Sequence, residues 1–176
     1  MQLIGDRQAD GQDAARLAET AIWRQTRDVG GMRLGIVIGV GNQKGGVGET
    51  TNTVHFAAAL GQRGYGCLII DLDPAAGATK HLGVPENSSA GSLEPLTTDE
   101  TVESLAITER LPKGVHLVPA RPQLSELETL LSTFMDRTRI LDRALAVARA
   151  QYDFVFVDTA PAPGATTTAW PVLTRP

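Results

Sequence analysis

Ten consecutive residues, Asn42-Gln43-Lys44-Gly45-Gly46-Val47-Gly48-Glu49-Thr50-Thr51, restrict what this chain can fold into more than any other stretch. They follow a compact apolar run at 34–40 and precede a helical pattern at 50–62, so the glycines fall on a strand-to-helix turn. A glycine-rich turn in that place exposes successive backbone N–H groups. The start of the helix adds a partial positive charge, and the two together favour phosphate. An ordinary tight turn has no need of glycines at 45, 46 and 48 followed by threonines at 50 and 51. A dinucleotide-binding reading fails on spacing, because Gly39 and Gly41 are followed by Lys44 where the third glycine belongs.

The rest of the chain continues the alternation. Residues 67–70 (Cys-Leu-Ile-Ile) form an unbroken apolar run, as a strand buried on both faces of a parallel sheet requires. Val115–Val118 and the run Phe154-Val155-Phe156-Val157 read as further strands. Leu124, Leu127, Leu130, Leu131 and Phe134 mark one amphipathic helix, and Ile140, Leu141, Ala144, Leu145 and Ala148 mark another. Strands alternating with helices of this length predict an α/β fold, a mostly parallel sheet with helices on both faces. At 176 residues, with 42% hydrophobic and 20% charged residues, the chain has the composition of one globular domain with its own core.

Flanking segments are read more simply. Residues 1–31 form an N-terminal extension in which Ala14, Leu17, Ala18, Ala21 and Ile22 fit a helix over about 12–27, stopped at Asp28-Val29-Gly30-Gly31. Between His81 and Glu109 the charged residues are all acidic, and the Pro, Ser and Gly content predicts a solvated excursion ending in a short helix near 99–106. Residues 169–176 carry no strand pattern and are read as an irregular tail. No apolar run reaches the roughly 18 residues of a membrane span, and the first residues lack the pattern of a secretory signal. A single cysteine, Cys67, excludes an internal disulfide framework and suits a reducing cytoplasm. His55, His81 and His116 have no metal-ligand spacing, and no serine nucleophile elbow is present.

With these motifs in place, a family resemblance is evident. The glycine-rich segment resembles the deviant Walker A motif, KGGVGKTT, of the ParA/MinD superfamily of P-loop ATPases. Asp71-Leu72-Asp73-Pro74 after the second strand is similar to the DLDP motif of that family. Tyr152-Asp153-Phe154-Val155-Phe156-Val157-Asp158-Thr159-Ala160-Pro161 is similar to its Walker B block. The resemblance spans about 33–168 and gives a P-loop NTPase domain over 32–168. It implies ATP and Mg²⁺ as ligands. Lys44 would be the signature lysine that crosses to the partner's nucleotide in a sandwich dimer. Gly45, Gly46, Val47 and Gly48 would offer N–H groups to phosphate, with Glu49 and Thr51 completing the nucleotide loop. Thr50, Asp71 and Asp158 would form or support the metal shell, and Asp73 would position the attacking water.

The resemblance further implies an ATP-driven role in plasmid or chromosome segregation, with dimerisation, a ParB-like partner, non-specific DNA and a nucleoid-associated cytoplasmic location, and no membrane contact. Two features depart from the family pattern. Glu49 occupies the position of the Walker A lysine that contacts the β- and γ-phosphates. At about 4 Å each unit pair is worth about 4 kcal/mol at an effective dielectric near 20, so replacing attraction by repulsion predicts strongly weakened ATP binding and little or no hydrolysis. The family's sheet continues past the Walker B strand, so the expected domain is incomplete at the C-terminus. A net charge of −4 agrees with a missing basic DNA-binding part. The alternatives are a non-hydrolysing scaffold or partner of an intact ParA, or a degenerate gene product.

Overall fold

The structure is a computed structural model that describes residues 28–29, 32–40, 48–85, 91–92, 101–102, 104–126 and 137–159. Its strands are β1 (Asp28–Val29), β2 (Met32–Arg33), β3 (Ile36–Val40), β4 (Cys67–Asp71), β5 (Val115–Val118) and β6 (Phe154–Asp158). Its α-helices are α1 (Glu49–Gln62), α2 (Gly77–His81) and α3 (Arg137–Gln151), with a 3₁₀ turn at Pro122–Glu126. Four strands form one fully parallel sheet in the order β3-β6-β4-β5. The last strand in sequence is thus inserted between the first two of the sheet.

Side-chain alternation divides the core into two layers. Leu68 and Ile70 of β4, with Val155 and Val157 of β6, face the layer that holds Leu145 and Ala148 of α3. Cys67 and Ile69, with Phe154 and Phe156, face the layer that holds Val54 and Ala57 of α1. Successive residues of a strand point to opposite faces, so an unbroken apolar run is what a sheet covered on both sides needs. The expected α/β architecture with helices on both faces is therefore present.

Helix α1 buries Thr53, Val54, Ala57 and Gly61, the spacing of one helical face. Gly64, at φ +94°, ends it: its N–H bonds the Gly61 carbonyl, and the Tyr65 N–H reaches back to the Leu60 carbonyl. This is the Schellman pattern of helix termination. A methyl group at Gly61 would meet the Lys113 carbonyl oxygen, so the last turn of α1 lies directly on the turn that leads into β5.

Two expectations change. The described residues of 101–106 form turns rather than a short helix. Ser104 donates its hydroxyl to the Thr101 carbonyl at 2.8 Å, and such local bonds compete with helical ones. Val102 is buried in the α3-facing layer, and Ile107 bridges antiparallel to Leu117. Upstream, Asp28–Val29 pairs antiparallel with Met32–Arg33, so the glycine joint lies between two short strands. Of the helix expected from Leu124 to Phe134, residues 124–126 are described and lie in the 3₁₀ turn, while 127–134, the expected helix over 12–27, residues 86–90 and 93–100 of the acidic excursion and the tail at 169–176 lie outside the described residues.

Packing at Gly61 gives a direct test. Gly61→Ala gains roughly 1 kcal/mol of helix propensity but forces the turn at Lys113 outward, and we expect a net loss of about 1–2 kcal/mol in urea unfolding. Equal or greater stability would contradict the contact between α1 and that turn.

Candidate functional site

The carboxyl edge of the sheet gathers the polar residues that the strands deliver. Register sets Val40, Asp158 and Asp71 side by side as the last paired residues of β3, β6 and β4. Beyond them, the buried Thr159 hydroxyl donates to the Val40 carbonyl at 3.3 Å, which fixes the end of β3 where the glycine loop begins. Ligands of open α/β sheets bind at this edge, where the crossovers leave a crevice.

Asp71 is fully buried and fully used. Its Oδ1 accepts the Asp73 N–H at 3.1 Å. Its Oδ2 accepts both the N–H and the hydroxyl of Thr79, at 2.9 and 2.7 Å. Thr79 Oγ1 in turn accepts the Ala120 N–H, and Ser92 donates its hydroxyl to the Asp71 carbonyl at 2.6 Å. Burial raises the Asp71 carboxyl above the ordinary carboxylate range and neighbouring Asp73 adds to this, while the bonds from Thr79 and Asp73 oppose it. Asp71 thereby ties β4 to α2 and to the segment after β5.

Asp158 is 1% exposed and less well served. Thr50 hydrogen-bonds its side chain, and the Thr53 hydroxyl lies 3.5 Å from Oδ1, at the outer limit of such a bond. Oδ2 is buried with no hydrogen-bond partner. Burial first, then the carboxylates of Asp71, Asp73 and Glu49, push its pKa up to about 6.

Helix α1 brings its first residues to the same place. Gly48 precedes it at φ 89°, ψ 21°, a left-handed geometry that glycine adopts without strain. Glu49 is the first helical residue, and its Oε1 is buried without a partner. Thr50 stands against α2: a Cβ on Gly77 would lie 2.9 Å from its hydroxyl. Gly77 therefore makes room for Thr50, and no local sequence pattern announces it. Thr51 is exposed and contributes only its carbonyl, to His55 Nδ1 at 2.7 Å. Asp73 is half-buried, with Oδ1 accepting the Ala75 N–H at 2.8 Å. The structure thus brings Glu49, Thr50, Asp71, Asp73 and Asp158 to one edge, while Lys44, Gly45, Gly46 and Val47 lie outside the described residues. Thr53, Thr79 and Ser92 complete the site, and as ordinary hydroxyl residues they carry no distinguishing sequence signal.

An unpartnered carboxylate oxygen beside a threonine hydroxyl is a donor set that suits a hard divalent cation such as Mg²⁺. No three His, Cys, Asp or Glu side chains converge as a ready-made metal cluster among the described residues. Coordination by protein groups would therefore rest on Asp158 and Thr50, with water completing the shell. Asp71, whose two oxygens already accept three donors, fits a supporting place better than direct contact.

The raised pKa of Asp158 has a stability consequence. Between about pH 4 and 6 the folded chain holds this proton more tightly than the unfolded chain. Folding stability from this group accordingly falls as pH rises through that window and stays low above it. In EDTA at pH 7.5, Asp158→Asn is expected to raise stability by on the order of 2 kcal/mol, about 4–8 °C in Tm, with the gain shrinking toward pH 4. An unchanged or lower Tm at pH 7.5 would show that the charge at 158 is already compensated.

Comparison with known proteins accords with this geometry. The sequence pattern of a family described as an AAA domain matches residues 35–170. The chromosome partitioning protein ParA of Myxococcus xanthus is 33% identical over 132 residues, covering 74% of this chain and 46% of that protein. The sporulation initiation inhibitor protein Soj of Bacillus subtilis is 31% identical over 131 residues, covering 74% and 52% respectively. A crystal structure of cobyrinic acid a,c-diamide synthase from Mycobacterium smegmatis with bound ADP and magnesium superimposes with a TM-score of 0.70 at 32% identity, covering 77% of this chain and 55% of that one. The chain spans about half the length of the curated relatives it matches. On the strength of this match and the four-stranded parallel sheet, the chain belongs to the ParA/MinD superfamily of P-loop ATPases.

Proposed function

We propose that this chain serves in the partitioning of plasmid or chromosomal DNA as a ParA-like protein whose nucleotide step is strongly weakened. Its similarity to ParA and Soj supports the partition role, and a ParB-like protein is the partner class that goes with it. The observation that carries the weakened step is Glu49, which opens α1 directly after the glycine loop with a buried, unpartnered carboxylate oxygen. At that point a nucleotide loop requires a cation facing the β- and γ-phosphates. The anion instead opposes the phosphate charge, and Asp71, Asp73 and Asp158 already crowd the same edge.

The other residues keep roles that suit nucleotide binding. Gly45, Gly46, Val47 and Gly48 would offer backbone N–H groups to phosphate, and Lys44 would reach toward a partner chain. Thr50 and Asp158 would hold Mg²⁺, which when bound neutralises phosphate charge. Asp73, the less encumbered of the two aspartates after β4, would orient the attacking water. Asp71 would act at one remove, by fixing the backbone of Asp73. A second reading follows from the same Glu49 carboxylate: the chain would act as a non-hydrolysing partner of an intact ParA, contributing its surface and Lys44 without turnover. Among the described residues no helix is long and apolar enough to cross a membrane.

The test is a fluorescence titration with mant-ATP in excess Mg²⁺, comparing the native chain with Glu49→Lys. Exchanging an anion for a cation beside phosphate is worth several kcal/mol, so Glu49→Lys should bind at least about a hundredfold more tightly. Micromolar affinity in the native chain, undiminished relative to Glu49→Lys, would refute the weakened step.

A further inference from the structure

Phosphate binding leaves Glu49 without a purpose, and its surroundings suggest another. Its Oε1 and Asp158 Oδ2 are both buried and both lack a hydrogen-bond partner. Asp158 is 1% exposed, whereas Glu49 is half-buried. Thr53 ties the main chain of Glu49 to the Asp158 side chain, and the Glu49 charge is close enough to act on the Asp158 carboxyl. The Thr53 hydroxyl donates to the Glu49 carbonyl at 3.1 Å and lies 3.5 Å from Asp158 Oδ1. Thr50, the next residue along α1, hydrogen-bonds Asp158 directly. Two buried anionic oxygens without donors are unfavourable unless a cation joins them.

We propose that Glu49 and Asp158, with the Thr50 hydroxyl, form a nucleotide-independent site for one hard divalent cation, Mg²⁺ or Mn²⁺. In it the Glu49 carboxylate supplies the anionic oxygen that a bound phosphate would otherwise supply. Two carboxylates and a hydroxyl are an all-oxygen set, and the remaining positions of the shell fall to water, which Mg²⁺ retains readily. Among the described residues no third acidic or imidazole side chain converges there. The inference rests on the proposed function in one respect, that Glu49 no longer serves phosphate. It turns the substitution from a simple loss into an exchange of ligands, with cation binding uncoupled from nucleotide.

The experiment titrates Mn²⁺ into the full chain without nucleotide and follows the loss of the free-ion electron paramagnetic resonance signal. We expect one ion per chain, displaced by Mg²⁺. Glu49→Gln should weaken binding at least tenfold, roughly the effect of losing a metal-site contact. Glu49→Lys should abolish it, and Glu109→Gln, at an exposed position away from the site, should leave it unchanged. Circular dichroism of each variant confirms that it is folded, and the nearly isosteric Glu49→Gln keeps the comparison interpretable if Glu49→Lys does not fold. No uptake up to about 5 mM, beyond the weak end of protein cation sites, would overturn the proposal. Equal affinity in native chain and Glu49→Gln would do the same. Because nucleotide is absent throughout, tight mant-ATP binding by the native chain would count against the proposed function without deciding this result.

Discussion

Parallel pairing of β4 with β6 sets Asp71 and Asp158 on adjacent strands, roughly 4.8 Å apart in the backbone, at a buried edge. Two carboxylates so placed repel each other and are both deprived of water, and much of the surrounding structure answers that constraint. Asp71 is satisfied by protein donors alone. Its bonds to Thr79 anchor α2, a five-residue helix too short to persist by itself, and Thr79 passes the connection on to Ala120 after β5. Asp158 is satisfied incompletely, and its free oxygen is the chemical opening of the site.

Glu49 stands at that opening with two opposite consequences. As the first residue of α1 it places negative charge at the positive end of a helix, which favours folding slightly. Toward phosphate the same charge is repulsive, and the nearby aspartates compound it. The fold can therefore accommodate a residue whose charge opposes phosphate. On the proposed function, stability and nucleotide affinity come apart at this position, so a chain with a two-layer core can carry an altered phosphate site.

The sheet was legible because burial on both faces imposes continuous apolar runs. Residues 67–70, Val115–Val118 and the run from Phe154 each mark a strand to within a residue of its observed bounds. The site aspartates came from the resemblance of Asp71-Leu72-Asp73-Pro74 and of the run 152–161 to family motifs, since a carboxylate at a strand end taken alone is more often a loop cap. What the sequence did not show are features held by tertiary bonds. Helix α2 has no apolar periodicity and depends on Thr79 meeting Asp71. The turns at 101–106 mimic a helix in composition but are drawn into the core by Val102. Gly77, Thr53 and Ser92 matter through contacts with residues distant in sequence or on another turn, so no local pattern marks them.

On the proposed reading, Glu49 exchanges a nucleotide for a cation at this site. Thermal melts of the native chain and Glu49→Lys, each with Mg²⁺ alone and with Mg²⁺ plus ATP, test it most directly, since any ligand of the folded state raises Tm by mass action. Mg²⁺ alone is expected to raise the native Tm, with ATP adding nothing further. The reverse is expected of Glu49→Lys, which should respond to Mg²⁺ only when ATP is present. A native chain indifferent to Mg²⁺ but stabilised by Mg²⁺ with ATP would contradict it.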